Sequence, residues 1–206
     1  MINIIGKTFL EYQLEFLGRG GVKDIVLCLG YKGEQIKSHF GNGEEYGVNI
    51  KYSFEDKPLG TAGALKKAED LLEDTFFTIY GDSYLFLDFS ALISYFNRQN
   101  KLALMTVYEN HDRYDKSNTV VAEHLVKKYS KQERTVDMTY IDYGANIFRK
   151  KTLEMVPKDQ FYSLEDLLPR LIAMGELMAF EVKERFYEIG SREGLREFEE
   201  YIRGAN

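Results

Sequence analysis

Asp82 is the first residue whose setting suggests chemistry. It follows the apolar run Thr75-Phe76-Phe77-Thr78-Ile79, inside Tyr80-Gly81-Asp82-Ser83. Ligands of open α/β sheets bind at the carboxyl ends of strands, and a carboxylate there is a hard oxygen ligand suited to Mg²⁺ carried by phosphates. A Gly-Asp pair also makes ordinary turns. Upstream, Glu55-Asp56-Lys57-Pro58-Leu59-Gly60-Thr61-Ala62-Gly63-Ala64 leads into a helical pattern. Its two glycines admit a ligand to the backbone, and the helix start offers free N–H groups to a base edge or a phosphate. Glycines that serve helix–sheet packing fit the same pattern, and the segment matches neither the dinucleotide fingerprint nor the P-loop. Glu188, in Tyr187-Glu188-Ile189-Gly190-Ser191, is a second acid before a helix cap; two distant carboxylates converging on one metal form a site, whereas separately each is ordinary. Glu165 falls in a helix first turn, where the macrodipole alone accounts for an acid. Lys131 belongs to the charged stretch 127–131, a pattern typical of solvated faces. His39, His111 and His124 lack Cys or His at ligand spacing, and no G-x-S-x-G elbow is present, so a transition-metal site and nucleophilic hydrolysis fall away.

The elements that must position these residues alternate. Phe9 to Leu17 repeats apolar residues at helical spacing and stops at Gly18-Arg19-Gly20-Gly21, and Asp24 to Leu29 is a short apolar run that reads as a buried parallel strand, with Cys28 a small core residue. A short helix over 34–40, a strand of alternating pattern through Val48, Ile50, Tyr52 and Phe54, and a helix over 61–72 follow. The run 75–80 is a strand, Asp88 or Ser90 caps a helix through Phe96, and Leu102 to Tyr108 is another strand. Such alternation predicts a parallel sheet with helices on both faces. Strands over 117–123, 125–129, 140–148 and 177–182 then extend it, antiparallel ones among them. Ser163, with a carboxylate three residues on, opens a helix that ends at Gly175, and 191–203 is a final charged helix. No repeat or linker interrupts the sequence, so residues 1–206 form a single domain.

Composition sets outer limits. The 206 residues are 44% hydrophobic and 29% charged, with a formal charge of -6, a profile of a globular chain large enough to hold a core without disulfides. A single cysteine points to a reducing, cytoplasmic setting. Acids outnumber bases and the bases are scattered, which argues against nucleic acid as a partner. No apolar stretch approaches the ~20 residues of a membrane span.

Taken in order, the segments resemble the sugar-1-phosphate nucleotidyltransferases, in particular the branch of mannose-1-phosphate and heptose-1-phosphate guanylyltransferases. Gly6-Lys7-Thr8-Phe9-Leu10-Glu11-Tyr12-Gln13 is similar to that family's G-K-P-F-L-x-x-Q entry, and 55–64 to its P-L-G-T-A-G-A base-binding turn. Tyr80-Gly81-Asp82 stands where the family has its strand-end G-D. Ser130-Lys131-Gln132 replaces E-K-P, Asp142-Tyr143-Gly144-Ala145-Asn146 resembles the sugar-side glycine strand, and Tyr187-Glu188-Ile189-Gly190-Ser191 the closing D-I-G-T, with Glu for Asp. The resemblance implies a Rossmann-like nucleotidyltransferase fold with a mixed, mostly parallel sheet flanked by helices. It also implies roles: Asp82 and Glu188 for Mg²⁺; Lys131 for the sugar phosphate; Leu59, Gly60, Thr61, Ala62 and Gly63 for the base; Gly144 and Glu165 for the sugar; and Gly81 for substrate binding. The implied reaction joins a nucleoside triphosphate to a sugar 1-phosphate, releasing pyrophosphate and an NDP-sugar. The family often pairs, so a homodimer is the implied assembly, although no amphipathic stripe demands a partner.

One departure bears on the fold. The family opens with a strand and the loop G-G-x-G-T-R-L followed by P-K-P, which cradles the triphosphate, and this sequence starts after them. The resemblance therefore implies that the family's first strand is absent, leaving apolar faces and ladder groups unpaired. An alternative follows: an inactive or regulatory relative that binds nucleotide or sugar phosphate. A third reading, a glycosyltransferase with a strand-end D-x-D, ranks lowest because the run here is Asp82-Ser83-Tyr84.

Overall fold

The computed structural model describes residues 1–205. The chain opens with a two-residue-looped hairpin of β1 (Asn3–Ile4) and β2 (Lys7–Thr8). Helix α1 (Phe9–Arg19) begins at a capping box, in which the Thr8 side chain accepts from the Glu11 N–H and Glu11 accepts from the Thr8 N–H, so two otherwise free donors are satisfied reciprocally. Strand β3 (Asp24–Leu29), helix α2 (Gly33–Phe40) and strand β4 (Asn49–Phe54) follow, and β3 and β4 pair in parallel with Asp24 opposite Asn49. Helix α3 (Gly60–Lys67) is shorter than its sequence pattern suggests, because the chain tightens into a 3₁₀ turn over Glu69–Leu71.

Next come β5 (Thr75–Ile79), β6 (Ser83–Tyr84), α4 (Phe89–Asn97), β7 (Ala103–Glu109), β8 (Thr119–Ala122), β9 (Leu125–Tyr129), β10 (Tyr140–Arg149), α5 (Leu164–Ala173), β11 (Leu177–Val182), β12 (Tyr187–Glu188) and α6 (Arg192–Ala205). Asp88, not Ser90, caps α4, its carboxylate accepting from the Ala91 N–H. Six strands form the main sheet in the order β5-β10-β7-β11-β9-β8. The sheet is mixed, and the expectation of a mostly parallel one needs correction. Strands β5, β7 and β11 run the same way, but β10 lies reversed between β5 and β7, so β7–β11 is the one parallel pair among these six. The long excursion from 110 to 139 brings β10 back antiparallel instead of through a crossover helix, which parallel neighbours require.

Burial follows strand alternation. Ala103, Met105 and Val107 face a core built with Leu164, Leu167, Leu168 and Leu171 of α5, while Leu104 packs on the other face with Leu92 and Phe96 of α4. α1 lies over β3 and β4 through Leu14, Ile25, Leu27, Val48 and Ile50. The apolar stripe of α6, with Phe198 and Ile202, locks onto Phe9 and Tyr84.

The β3–β4 pair is a separate sheet. Among the described residues β3 bonds to no strand except β4, and β5 to none except β10, so each has one edge without a ladder partner. Cys28 corrects the reading of a core cysteine: it is exposed, because alternate residues of β3 lack the neighbour that burial on both faces needs. Helix α1 touches β3 through Leu14 and reaches the end of β5 through Gln13, whose amide donates to the Tyr80 carbonyl at 3.1 Å. On the opposite side the Cys28 thiol meets the Ala64 carbonyl of α3 at 3.8 Å, and Ala62 of the same helix packs in one core with Phe76 of β5.

Candidate active site

The candidate residues collect beyond the end of β5 and around the turn that follows β4. The C-terminal ends of these strands lie together, since Gly60 and Thr61, after β4, share a cavity wall with Tyr80, directly after β5. That cavity has a volume of about 200 Å³ and is also lined by Tyr129, Lys131, Phe161, Ser163, Leu164 and Glu165. Lys131, Glu165 and the adjacent Gly60 and Thr61, from three distant stretches of sequence, thus meet in one place.

Each wall residue is held by local structure. Ser163 caps α5 in a second capping box with Asp166, and this aims the first turn, with Glu165, at the cavity. The Thr61 hydroxyl accepts from the Leu164 N–H at 2.7 Å, the Tyr162 N–H donates to the Leu59 carbonyl and the Gly63 N–H to the Tyr162 carbonyl, both at 2.8 Å. These bonds join the 59–63 turn to the 160–164 segment. They also explain the two glycines: Gly60 has φ +73°, and a Cβ there would stand 2.8 Å from the Tyr162 carbonyl oxygen; one on Gly63 would stand 2.9 Å from that of Gln160. Close approach within the chain itself accounts for both. Leu59, Ala62 and Gly63 are buried and do not line the cavity, whereas Gly60 and Thr61 do.

Beneath the cavity lies a residue that sequence reasoning passed over. Asp142 is buried at the start of the β10 bulge; it accepts from the Tyr80 hydroxyl at 2.9 Å and from the Gly144 N–H at 3.0 Å. Burial pushes its carboxyl above the usual range, and the bonds from Gly144 and Tyr80, with the charge of Lys131, oppose that rise. Gly144 serves this contact: its φ of +102° lets its N–H turn back to Asp142, and a Cβ would stand 3.1 Å from the Ser83 hydroxyl. Burial, then the Asp142 charge, raises the Tyr80 hydroxyl far above its ordinary value, so it stays a donor. The Lys131 ammonium sits 5.3 Å from the centre of the Tyr80 ring, a favourable cation–π arrangement. A tyrosine at a strand end and an acid two residues into a largely apolar strand are the signals that could have found this pair.

The two acids expected to hold a metal do converge. Glu188 of β12 pairs with Ser83 of β6, immediately after Asp82, and the Ile189 N–H donates to the Asp82 carbonyl. A Cβ placed on Gly190 would lie 3.0 Å from Glu188 Oε2 and 3.4 Å from Asp82 Oδ2, so both carboxylates border the space that this glycine leaves open. Glu188 is also engaged locally, accepting from the N–H groups of Gly190 and Ser191 and from the Ser191 hydroxyl. Among the described residues no third Asp, Glu, His or Cys joins the pair. Gly81 is exposed between the cavity residue Tyr80 and Asp82, so one short turn links the carboxylate pair to the cavity.

The nucleotidyl transferase family model matches residues 1–203, and the chain belongs to this family of sugar-1-phosphate nucleotidyltransferases. It is 30% identical over 98% of its length to the D-glycero-alpha-D-manno-heptose 1-phosphate guanylyltransferase of Aneurinibacillus thermoaerophilus, covering 90% of that protein. It is also 30% identical to the UTP–glucose-1-phosphate uridylyltransferase of Synechocystis sp., over 85% of this chain but half of that protein. HddC from Yersinia pseudotuberculosis, in a crystal structure of its complex with GMP-PN, superposes with a TM-score of 0.84 at 30% identity, over 98% of this chain and 88% of the other. No helix among the described residues is long and apolar enough to cross a membrane.

Proposed function

We propose that the protein transfers a nucleotidyl group from a nucleoside triphosphate to a sugar 1-phosphate, with release of pyrophosphate. The observation that carries this reading is the meeting of Lys131, Glu165 and Thr61 in one cavity that adjoins, through Tyr80-Gly81-Asp82, a pair of carboxylates. A sugar-phosphate oxygen attacks the α-phosphorus in line and pyrophosphate leaves, with no covalent enzyme intermediate. Catalysis of this kind rests on placing two anions together and offsetting their charge. Lys131 neutralises the sugar phosphate, held over the Tyr80 ring that Asp142 fixes. Glu165 accepts hydrogen bonds from sugar hydroxyls, and the turn at Gly60 and Thr61 faces the nucleotide.

Asp82 and Glu188 fit a hard divalent cation: both are oxygen donors, both border the space at Gly190, and neither is buried. We assign Mg²⁺ to this pair; bound there it would offset charge on phosphate oxygens. The guanylyltransferase relatives and the GMP-PN complex support GTP as the donor and mannose- or heptose-type 1-phosphates as the acceptors. The unpaired edges of β3 and β5, with α1 and α3 reaching across both, support one more element of this reading, a strand seated between them as in the family's sheet.

Incubation with α-labelled GTP and mannose 1-phosphate tests the reaction. Label appearing in a sugar nucleotide is the expected result, and label that stays in GTP across a panel of sugar 1-phosphates contradicts it.

A further inference from the structure

Four hydroxyls border the cavity. Thr61 accepts from the Leu164 N–H, Ser163 donates to the Asp166 carboxylate and Tyr80 donates to Asp142. The fourth, Tyr129, has only a weak interaction with the Tyr80 hydroxyl, which is itself committed to Asp142. Its residue is 5% exposed, and its hydroxyl oxygen is buried with no hydrogen-bond partner among the described residues, though Tyr129 lines the cavity. A buried hydroxyl left unpaired is costly, and native structures seldom keep one without cause. The Asn146 amide and the Thr78 hydroxyl are also unpaired, but they stand opposite each other across β10 and β5 and do not line this cavity.

The surroundings of the hydroxyl say what it would bind. Burial, then the charges of Asp142 and Glu165, push it well above the ordinary tyrosine range against a small opposing pull from the Tyr80 hydroxyl, so it is a neutral group in a negative setting. A phosphate would be repelled there and is drawn instead to Lys131. A sugar hydroxyl is neutral, donates and accepts, and suits a place between a phenol and the Glu165 carboxylate.

We propose that the Tyr129 hydroxyl is a substrate-binding group that hydrogen-bonds an oxygen of the sugar, not of the phosphate, and so helps to choose the sugar. This rests on the sugar 1-phosphate reading above. Tyr129 lies two residues before Lys131, so one strand end carries both contacts, the sugar from the buried position and the phosphate from the exposed one.

Titration calorimetry with Tyr129→Phe tests it, using mannose 1-phosphate, glucose 1-phosphate and inorganic phosphate as probes. The variant keeps the ring and removes the orphan oxygen. One hydrogen bond lost corresponds to affinity for the sugar phosphate falling about tenfold, while affinity for inorganic phosphate and the melting temperature hold or rise. Lys131→Ala weakens all three probes. Wild-type affinity of Tyr129→Phe for the sugar phosphates overturns the assignment, as does an equal loss with inorganic phosphate. Wild-type protein that binds neither sugar phosphate contradicts the sugar 1-phosphate reading itself, and the assignment with it.

Discussion

At the scale of single residues, the site divides into groups that carry charge and groups that hold them. Lys131 is exposed, yet the Tyr80 ring beneath it and the Asp142 carboxylate behind Tyr80 give its ammonium a defined place. Under the proposed function, removing it takes away a charge-assisted contact to the sugar phosphate, an interaction of about 1.5–3 kcal/mol. Lys131→Ala should therefore raise the KM for the sugar 1-phosphate about ten- to a hundredfold and leave the KM for the nucleotide nearly unchanged, as steady-state kinetics with each substrate varied in turn would show. Asp82 stood out in the sequence because it follows a strand, whereas Lys131, in a charged stretch, and Glu165, in a helix first turn, drew roles only from the family resemblance. Tyr129, Tyr80 and Asp142 were not legible there. An aromatic residue in a strand reads as core, and whether its hydroxyl has a partner depends on neighbours from the 60s, the 140s and the 160s.

At the scale of elements, α5 positions the Glu165 wall of the cavity and the capping box positions α5. Its Ser163–Asp166 bonds hold the Asp166 carboxyl below its ordinary value. The sign follows: a carboxyl depressed in the folded state adds stability above its unfolded pKa of about 3.9, and that stability is lost as the pH falls through the folded value. Ser163→Ala should cost about 1 kcal/mol of stability near neutral pH, read from urea unfolding, and the difference from wild type should shrink as the carboxyl is protonated in acid. Element types and starts were legible because caps and periodicity are local, as at Thr8, Asp88 and Ser163. The order of strands was not: nothing in Tyr140 to Arg149 states that it inserts reversed between β5 and β7. The early end of α3 at Lys67 also escapes a pattern rich in Ala, Leu and Lys, for the turn over Glu69–Leu71 is set by the tertiary fold.

At the scale of the whole molecule, the strands divide along a line between the β3–β4 pair and the six-stranded sheet. The resemblance implied a position for a further strand, and the structure has unpaired edges on β3 and β5 with helices reaching across both. Cys28 marks the place: it is exposed, yet enough protein surrounds it that burial, then the Glu55 charge, pushes its thiol up to about 11. Amides that point away from β4 and β10 lack ladder partners, so hydrogen exchange of the 206-residue chain should show half of the β3 and β5 amides exchanging far faster than those of β7 and β10. Uniform protection across all four strands would count against the open edge.

The central claim is nucleotidyl transfer organised by the Asp82 strand end. It is tested most directly by following pyrophosphate release from GTP and mannose 1-phosphate, with Mg²⁺ present, by wild-type protein and by Asp82→Asn. Release by the wild type that depends on the sugar phosphate, and falls at least a hundredfold in a variant that still folds, is the predicted result, in keeping with loss of a group that offsets charge at the reacting phosphate. Equal rates from the two proteins, or no release by wild type with any nucleoside triphosphate and sugar 1-phosphate pair, would contradict it.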